Sequence, residues 1–294
     1  MKLIFSNNKG AGVPTIWVLC HQMLSGIAIF SCSDQQVTLE MSFDNSQLAV
    51  TLVYAATNQV ARRSLWQELY DFSSYSQPWI LVGDFNAITG AHERIGGNLP
   101  PNTSCTEFST MIDDCNLSHL DTEGNFLTWA NNRASNYMEQ RLDRALSNIH
   151  FDDVWPISKC LVLPRILSDH SPLVISASRV ISHGPRPFKF HAVWKEHESF
   201  KSMISGCWNS ISSNGCPMRT LVMKLKATKS CLKSWNASVF GNVHENVNAA
   251  RKKLSLIQTN ISSFGGSDTL FQEESVAKQE VMEAVRLLTI LSDL

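Results

Sequence analysis

The N-terminal part of the sequence has almost no charge. No Asp or Glu precedes Asp34, and no charged residue of either sign lies between Lys9 and Asp34. A membrane span needs about 18 consecutive apolar residues, whereas the longest unbroken apolar run here covers only residues 16–20. The weak apolar segment also lacks a clean cleavage site, which argues against a signal peptide. We therefore expect two buried strands, TIWVLC and GIAIFS, in a nuclear or cytoplasmic protein that is neither membrane-bound nor secreted.

The cysteines also lack a pattern. No two of the eight have the C-x-x-C spacing, which argues against the common zinc and redox motifs. Scattered cysteines are typical of small hydrophobic side chains packed in a reducing compartment. We expect this role for all eight, which are Cys20, Cys32, Cys105, Cys115, Cys160, Cys207, Cys216 and Cys231.

Charge is distributed unevenly along the 294 residues. Residues 1–180 hold 11 basic and 17 acidic residues, a net charge of −6, whereas residues 181–294 have a net charge of +5. This asymmetry indicates two units. The basic second unit could lie on nucleic acid, although a solvated helix face explains mild basicity equally well.

Residues 1–180 mix strands with helices. Short apolar runs such as LAVTLVYA, WILVGDF and PLVISAS predict strands. RRSLWQELYDFSS and CTEFSTMIDDCNL predict helices, since Leu65, Leu69 and Phe72 of the first fall on one helical face. The mixture predicts a layered α/β or α+β domain.

After Pro185 and Pro187 the pattern becomes helical. Apolar residues from Leu221 to Val239, and again from Val243 to Ile261, recur at spacings of three and four. Gly265 and Gly266 interrupt the second stripe, and a third helix is expected from about Leu270 onward. Residues 188–294 are therefore predicted to form a helical, basic extension of a domain that covers residues 1–180.

Polar side chains mark the ends of several predicted strands. The apolar run of PWILVGDFNAIT ends in Asp84 and Asn86, and similar groups end or precede other strands. If these groups meet at one sheet edge, they offer oxygen ligands and one imidazole, which suit Mg²⁺, with Mn²⁺ as an alternative, and work on a phosphate. Taken singly, each is equally typical of a polar turn. The groups are Asn7, Asp84, Asn86, Asp143, Asp169 and His170.

The segments GDFN, RLDRAL and SDHSPL, in that order, resemble the endonuclease/exonuclease/phosphatase superfamily. Within it, MKLIFSNNKGAG, LVYAATNQVARRSLWQEL, FLTWANN and RPFKFHAVW are most similar to the endonuclease domain of plant LINE-type non-LTR retrotransposon polyproteins. The resemblance implies an α/β (α+β) four-layer β-sandwich flanked by helices, followed by an all-helical extension. It also implies hydrolysis of DNA phosphodiesters, and the family's reverse transcriptase region is absent from this sequence.

The resemblance also implies a role for each matching residue. Asp84 would align or deprotonate the attacking water, and Asn86 would hold a phosphate oxygen. Asp143 would accept a hydrogen bond from His170, which would stabilise the phosphate in the transition state. Tyr54 would contact the scissile phosphate.

The metal site departs from the family pattern. Asn7 and Asp169 match residues at the metal, but the family's Glu after its second core strand has no acidic counterpart, and His21 falls at that position. Only residues 13 and 14 separate NKGAG from the next strand, so the family's first helix cannot fit and the fold is expected to be N-terminally incomplete. Two alternatives to a nicking endonuclease stay open, which are an inactive fragment that at most binds nucleic acid weakly, and a sugar or lipid phosphatase.

Overall fold

A computed structural model describes residues 1–7, 13–22, 24–131, 133, 136–178, 190, 194–195, 197–212, 215–239 and 243–292. The chain forms two compact units, of which the first comprises Met1–His183 and Ile257–Phe271 and the second Gly184–Leu256 and Gln272–Leu294. The first unit therefore takes in a segment of the predicted helical extension. Its strands are β1 (Lys2–Ser6), β2 (Trp17–Cys20), β3 (Ala28–Cys32), β4 (Gln36–Phe43), β5 (Ser46–Tyr54), β6 (Trp79–Asp84), β7 (Arg94–Ile95), β8 (Leu117–His119), β9 (Thr122–Gly124), β10 (Trp129–Ala130), β11 (Glu139–Gln140), β12 (Asp143–Asn148), β13 (Ile157–Val162) and β14 (Leu173–Ser178).

A six-stranded sheet forms the centre of this unit. Its strand order is β3-β4-β5-β6-β12-β8, and β5 and β6 are the parallel pair among neighbours that otherwise run antiparallel. Helix α1 (Gln59–Phe72) provides the crossover between these two strands. It begins where the Asn58 side chain accepts hydrogen bonds from the backbone N–H groups of Val60 and Ala61.

Helices cover one face of this sheet. The two predicted helices are confirmed as α1 and α2 (Asn102–Asp114), and each buries its apolar stripe. Leu65 and Leu69 of α1 pack with Phe108 of α2 against Trp79 and Leu81 of β6. Trp79 and Leu81 of the apolar run of β6 are buried because this face carries helices.

A second sheet covers the opposite face. It has the order β14-β13-β9. Ile80 of β6 and Ala145 of β12 pack against its Cys160 and Ile175, together with Trp155 after the short helix α3 (Ile149–Val154). The mixed α/β sandwich of two sheets flanked by helices is confirmed.

Gly83, which directly precedes Asp84 in the GDFN segment, occupies a backbone position that only glycine can adopt without a clash. Its φ is +147°, and a Cβ atom there would lie 2.0 Å from the carbonyl oxygen of Val53 on β5. We expect Gly83→Ala to lower the free energy of unfolding by about 3 kcal/mol, because the backbone of β5 must move. Gly206→Ala is the matched control, since a Cβ there meets no atom within 4 Å and a helix stabilises alanine over glycine by about 1 kcal/mol. Urea denaturation measures both, and equal effects would contradict this explanation.

The N-terminal segment forms a hairpin instead of a crossover. Strands β1 and β2 pair antiparallel, with Ser6 opposite Trp17 and Lys2 opposite Cys20. Ile16 and Val18 pack on Val37 of β4, so β2 is half-buried as its alternating pattern requires. The prediction that GIAIFS is buried is wrong, because β3 is an edge strand of the central sheet that leaves Ile29 48% exposed.

The second unit is helical. The helices that contribute to it are α4 (Phe200–Asn209), α5 (Pro217–Val239), α6 (Val243–Phe264) and α7 (Asp268–Ser292), which agree with the three predicted helices and add α4. No described helix combines the length and the apolar character required to cross a bilayer. Cys207 and Cys231 form a disulfide between α4 and α5, and Cys32 and Cys216 are exposed. The expectation that all eight cysteines pack as small hydrophobic side chains is therefore wrong. The separation of Cys207 and Cys231 by 24 residues carried no signal, and only the packing of the two helices brings them together.

Candidate active site

Three strands bring polar residues together at one edge of the central sheet. Tyr54 and Asp84 are the last residues of the parallel strands β5 and β6, and they stand in register. Asp143 is the first residue of the antiparallel strand β12 and stands opposite Asp84 on its other side. The strand directions thus place Asp84 between the other two residues. Tyr54 is 42% exposed, so its side chain is accessible at this edge.

Asp84 is held by the residue two positions later. Its Oδ1 accepts a hydrogen bond from the Asn86 backbone N–H at 2.8 Å, and its Oδ2 accepts one from Asn86 Nδ2 at 2.9 Å. Nδ2 also donates to the Ala55 carbonyl at 2.8 Å, so both of its hydrogens are used inside the protein. Asn86 has a φ of +46°, a conformation that asparagine tolerates better than most residues. In this structure Asn86 orients Asp84, and its predicted contact with a phosphate stays a prediction.

His170 completes the cluster. Its Nδ1 lies 2.9 Å from Asp143 Oδ2, and its Nε2 lies 3.9 Å from Asp84 Oδ2. Because the Asp143 carboxylate accepts a hydrogen bond from Nδ1, the ring keeps a proton on Nδ1 and turns Nε2 toward the site. Asp143 itself is positioned through Thr128, whose hydroxyl oxygen accepts the backbone N–H of Asp143 at 2.9 Å.

Asp169 lies beside His170 but turns toward another partner. Its Oδ2 accepts a hydrogen bond from the indole N–H of Trp129 at 2.8 Å, and its backbone carbonyl accepts one from Ala130. Burial raises the pKa of Asp169, but the Trp129 hydrogen bond and nearby His170 outweigh it, so its pKa lies below the ordinary value. Trp129 was not singled out from the sequence, although it stands in the FLTWANN segment of the resemblance.

The pKa values of the central pair move toward neutrality. Burial, followed by the nearby carboxylate of Asp143, raises the pKa of Asp84 to about 6. Burial lowers the pKa of His170, but the hydrogen bond that its ring donates to Asp143 and the charges of Asp143, Asp84 and Asp169 outweigh burial, so the net shift is upward. A carboxylate that accepts a proton near pH 6 beside a cationic imidazole is suited to acid–base work near neutral pH.

The shift at Asp84 predicts how stability depends on pH. Its folded-state pKa exceeds its unfolded value of 3.8, so its contribution is fully present below pH 3.8 and is lost as pH rises through about 6. The full shift corresponds to about 3 kcal/mol. We expect the metal-free protein in chelator to lose stability relative to Asp84→Asn as pH rises from 4 to 7, by about that amount. Parallel urea-denaturation curves across this range would contradict the raised pKa.

The donors of one cluster fit a divalent cation. Among the described residues, Asp84, Asp143 and His170 each offer a ligand atom within 4.8 Å of the others. Mg²⁺ prefers oxygen ligands, so two carboxylates with an imidazole suit it less well than an all-oxygen set would. The same three groups can also bind Mn²⁺. Asp169, the predicted metal ligand, lies next in the chain and keeps Oδ1 toward the Ser168 hydroxyl at 3.4 Å.

Asn7 and His21, the two candidates from the N-terminal segment, lie at different ends of the β1–β2 hairpin. Asn7 is buried, and its Oδ1 accepts backbone N–H groups of Thr15 and Ile16, each at 2.8 Å, so the carboxamide closes the β1–β2 connection. Its Nδ2 donates to the Asp34 carbonyl. His21 follows Cys20, which pairs with Lys2 at the opposite end of the hairpin from Asn7. His21 therefore lies away from Asn7, because the antiparallel pairing reverses the direction of β2.

A buried ion pair stands behind the site. Glu93 ends the short 3₁₀ turn Ala91–Glu93 and receives two hydrogen bonds from Arg144, one of them 2.7 Å from Nη1 to Oε1. Arg144 follows Asp143 in β12, and its Nη2 also donates to the Arg141 carbonyl at 2.8 Å. The Thr89 backbone N–H donates to Glu93 at 2.7 Å. The pair thus joins the loops that follow Asp84 and precede Asp143, and sequence patterns gave no sign of this pairing.

Several solved structures are similar to part of this chain. The endonuclease domain of TRAS1, a telomere-specific non-LTR retrotransposon, matches 62% of this chain and 81% of its own at 15% identity and a TM-score of 0.47. The 3′-5′ exonuclease NExo from Neisseria meningitidis matches 51% of this chain and 70% of its own at 15% identity and a TM-score of 0.41.

An endonuclease/exonuclease/phosphatase family protein from Leptotrichia buccalis matches 53% of this chain and 62% of its own at 12% identity and a TM-score of 0.37. No protein-family model and no curated protein matches the sequence. In this chain Asp84 of GDFN, Asp143 of RLDRAL and His170 of SDHSPL meet at one sheet edge.

Proposed function

We propose that this chain is a metal-dependent phosphodiesterase of the endonuclease/exonuclease/phosphatase superfamily that nicks one strand of duplex DNA. The observation that carries the proposal is the hydrogen-bonded arrangement of Asp84, Asp143 and His170 at the strand ends. The DNA substrate and the kinship with LINE-type retrotransposons rest on the sequence motifs. The sandwich supports the proposal because it gathers those motifs on one edge.

The reaction would use these side chains as follows. Asp84 accepts a proton from the attacking water, whose oxygen forms the new bond to phosphorus. His170, held as a cation by Asp143, places its Nε2–H on a phosphoryl oxygen where negative charge builds up. The bond from phosphorus to the 3′ oxygen breaks, and the leaving oxygen gains a proton to become a 3′ hydroxyl. Tyr54 contacts the phosphate from the neighbouring strand end.

The residues present fit a divalent cation, which we propose to be Mg²⁺ with Mn²⁺ as a substitute. Asp84 and Asp143, whose carboxylates lie close together, would hold it. The predicted ligands Asn7 and Asp169 would join them only after exchanging their present hydrogen bonds, which Asn7 makes to the β1–β2 connection and Asp169 to Trp129. The chemistry that such a cation supplies is neutralisation of charge on the phosphoryl oxygens and a lower pKa of bound water. The side chains of the chain then orient the phosphate and handle the protons.

A second candidate is an inactive remnant that at most binds nucleic acid weakly. The antiparallel β1–β2 hairpin favours it, because β2 ends at Cys20, which pairs with Lys2 at the end of the hairpin away from Asn7. The first 33 residues contain no Asp or Glu, so this segment has no carboxylate to replace the family's missing Glu. Loss of groups that only support a metal site already costs about 10–100-fold in affinity or activity.

Nicking of supercoiled plasmid distinguishes the two candidates. Purified protein is incubated with Mg²⁺, with Mn²⁺ or with chelator, and relaxed circles are counted over time. The phosphodiesterase predicts relaxed circles in either metal and none in chelator. If the protein is folded but the plasmid stays supercoiled in both metals, the chain is an inactive remnant and the phosphodiesterase proposal fails.

A further inference from the structure

The loop between β13 and β14 carries Asp169 and His170, and its two ends are well anchored. At its base the Leu163 backbone N–H donates to the Pro172 carbonyl at 2.9 Å. Near His170, Ser171 N–H donates to the Thr128 carbonyl at 2.6 Å, and Ala130 N–H donates to Asp169. Between these anchors, Arg165 joins the loop to other parts of the chain through hydrogen bonds of its side chain and of its backbone.

Arg165 is 1% exposed and is held on two sides. Its guanidinium lies 2.9 Å from Glu139 Oε1, on β11 of the small sheet that also contains Trp129. Its backbone is held by Gln258 of α6, which accepts the Arg165 N–H at 3.2 Å and donates from Nε2 to the Arg165 carbonyl at 2.8 Å. Gln258 is fully buried, and it belongs to the segment Ile257–Phe271 of the first unit.

We propose that Gln258 is a positioning residue that fixes the loop carrying Asp169 and His170, so that this C-terminal helical segment is a working part of the active site. A backbone N–H or C=O group that is buried without a hydrogen-bond partner destabilises the fold. The Gln258 side chain provides the partner for both groups of Arg165. A side chain that makes two such bonds across 93 residues sets the position of the loop. The catalytic part of the proposal rests on the proposed function.

The indole N–H of Trp129 provides the readout. It donates to Asp169 Oδ2, so its NMR signal and exchange rate report where the loop lies. The indole N–H of Trp79 is an internal reference, because it donates to Thr51 Oγ1 at 2.8 Å in the central sheet. The variant is Gln258→Met, which keeps the volume and removes both hydrogen bonds to Arg165, together with a longer one of 3.5 Å from Asn125 Nδ2. Gln279→Met at an exposed position of α7 is the matched control.

We expect Gln258→Met to speed exchange at Trp129 about tenfold or more and to leave Trp79 unchanged. We expect its kcat for plasmid nicking to fall about tenfold at constant KM, because orientation is lost while DNA binding is kept. Unchanged exchange at Trp129, or equal acceleration at both indoles, overturns the positioning role.

Two further outcomes remain decisive. If the wild-type protein does not nick DNA, the proposed function fails, and the exchange measurement still decides the role of Gln258. If Gln258→Met does not fold, native-state exchange of the wild-type protein is used instead. The Arg165 amide must then open together with the amide of Ile261 in α6, and independent opening overturns the proposal.

Discussion

Replacing His170 with alanine is expected to lower the rate of plasmid nicking by about 10²–10⁴-fold. This is the range for losing a positioned acid–base or charge-stabilising group. The imidazole is hydrogen bonded to Asp143 at 2.9 Å and faces Asp84 at 3.9 Å. Asp143→Asn should have a smaller effect, since it weakens the cation without removing the ring.

His150→Ala is the matched control for this prediction. His150 is exposed on α3 and is not part of the cluster, so its loss should leave nicking unchanged. The two variants are compared at equal protein concentration after circular dichroism shows that both are folded. If His170→Ala nicked as fast as His150→Ala, the cleavage would arise elsewhere than at this cluster.

The second large effect is expected on stability, from Glu93→Ala. Glu93 and Arg144 are 2% and 1% exposed. Burial raises the pKa of Glu93, but the hydrogen bonds and charge of Arg144 outweigh burial and lower that pKa to about 2. Removing the carboxylate leaves a buried guanidinium without its charge partner, which costs about 3–5 kcal/mol. Because the pair joins the loops on both sides of the site, we also expect activity to fall. Urea denaturation at pH 7 measures the first effect and plasmid nicking the second.

An exposed pair provides the contrast. Lys253 and Glu280 of the second unit lie 2.7 Å apart with side chains 54% and 43% exposed, so Glu280→Ala should cost less than about 1 kcal/mol. The double variant Glu93→Leu with Arg144→Leu should recover part of the stability lost in Glu93→Ala, because it leaves no unpaired buried charge. If Glu93→Ala and Glu280→Ala cost the same, the buried pair has no structural role.

The strand ends that carry the candidate residues were easier to predict from the sequence than the sheet around them. Asp84 could be located because it ends a continuous apolar run, and such runs are typical of buried strands. Strand β4 was missed because part of its buried face is polar. Thr38 is 2% exposed and is hydrogen bonded to Thr51 of β5 at 2.8 Å, which no hydrophobic pattern reveals. The Asp44–Asn45 turn, with positive φ at both residues, was the available signal for the β4–β5 hairpin.

Other features depended on long-range contacts. The pairing direction of β1 and β2 decides on which side His21 lies, and residue order alone does not specify it. The short connection correctly excluded a parallel crossover. Gln258 contacts Arg165 across 93 residues of sequence, and an isolated glutamine on a helical stripe carries no signal of that contact. Such contacts become visible only once the fold is known.

Cleavage of a defined DNA duplex, with analysis of the ends produced, tests the central claim most directly. The substrate is labelled on each strand in turn and incubated in Mg²⁺ with the wild-type protein, with His170→Ala, or with chelator. The account predicts a cut in one strand that leaves a 3′ hydroxyl and a 5′ phosphate, and no cut with His170→Ala or chelator. An intact duplex, a 3′ phosphate end, or cleavage that persists with His170→Ala would contradict it.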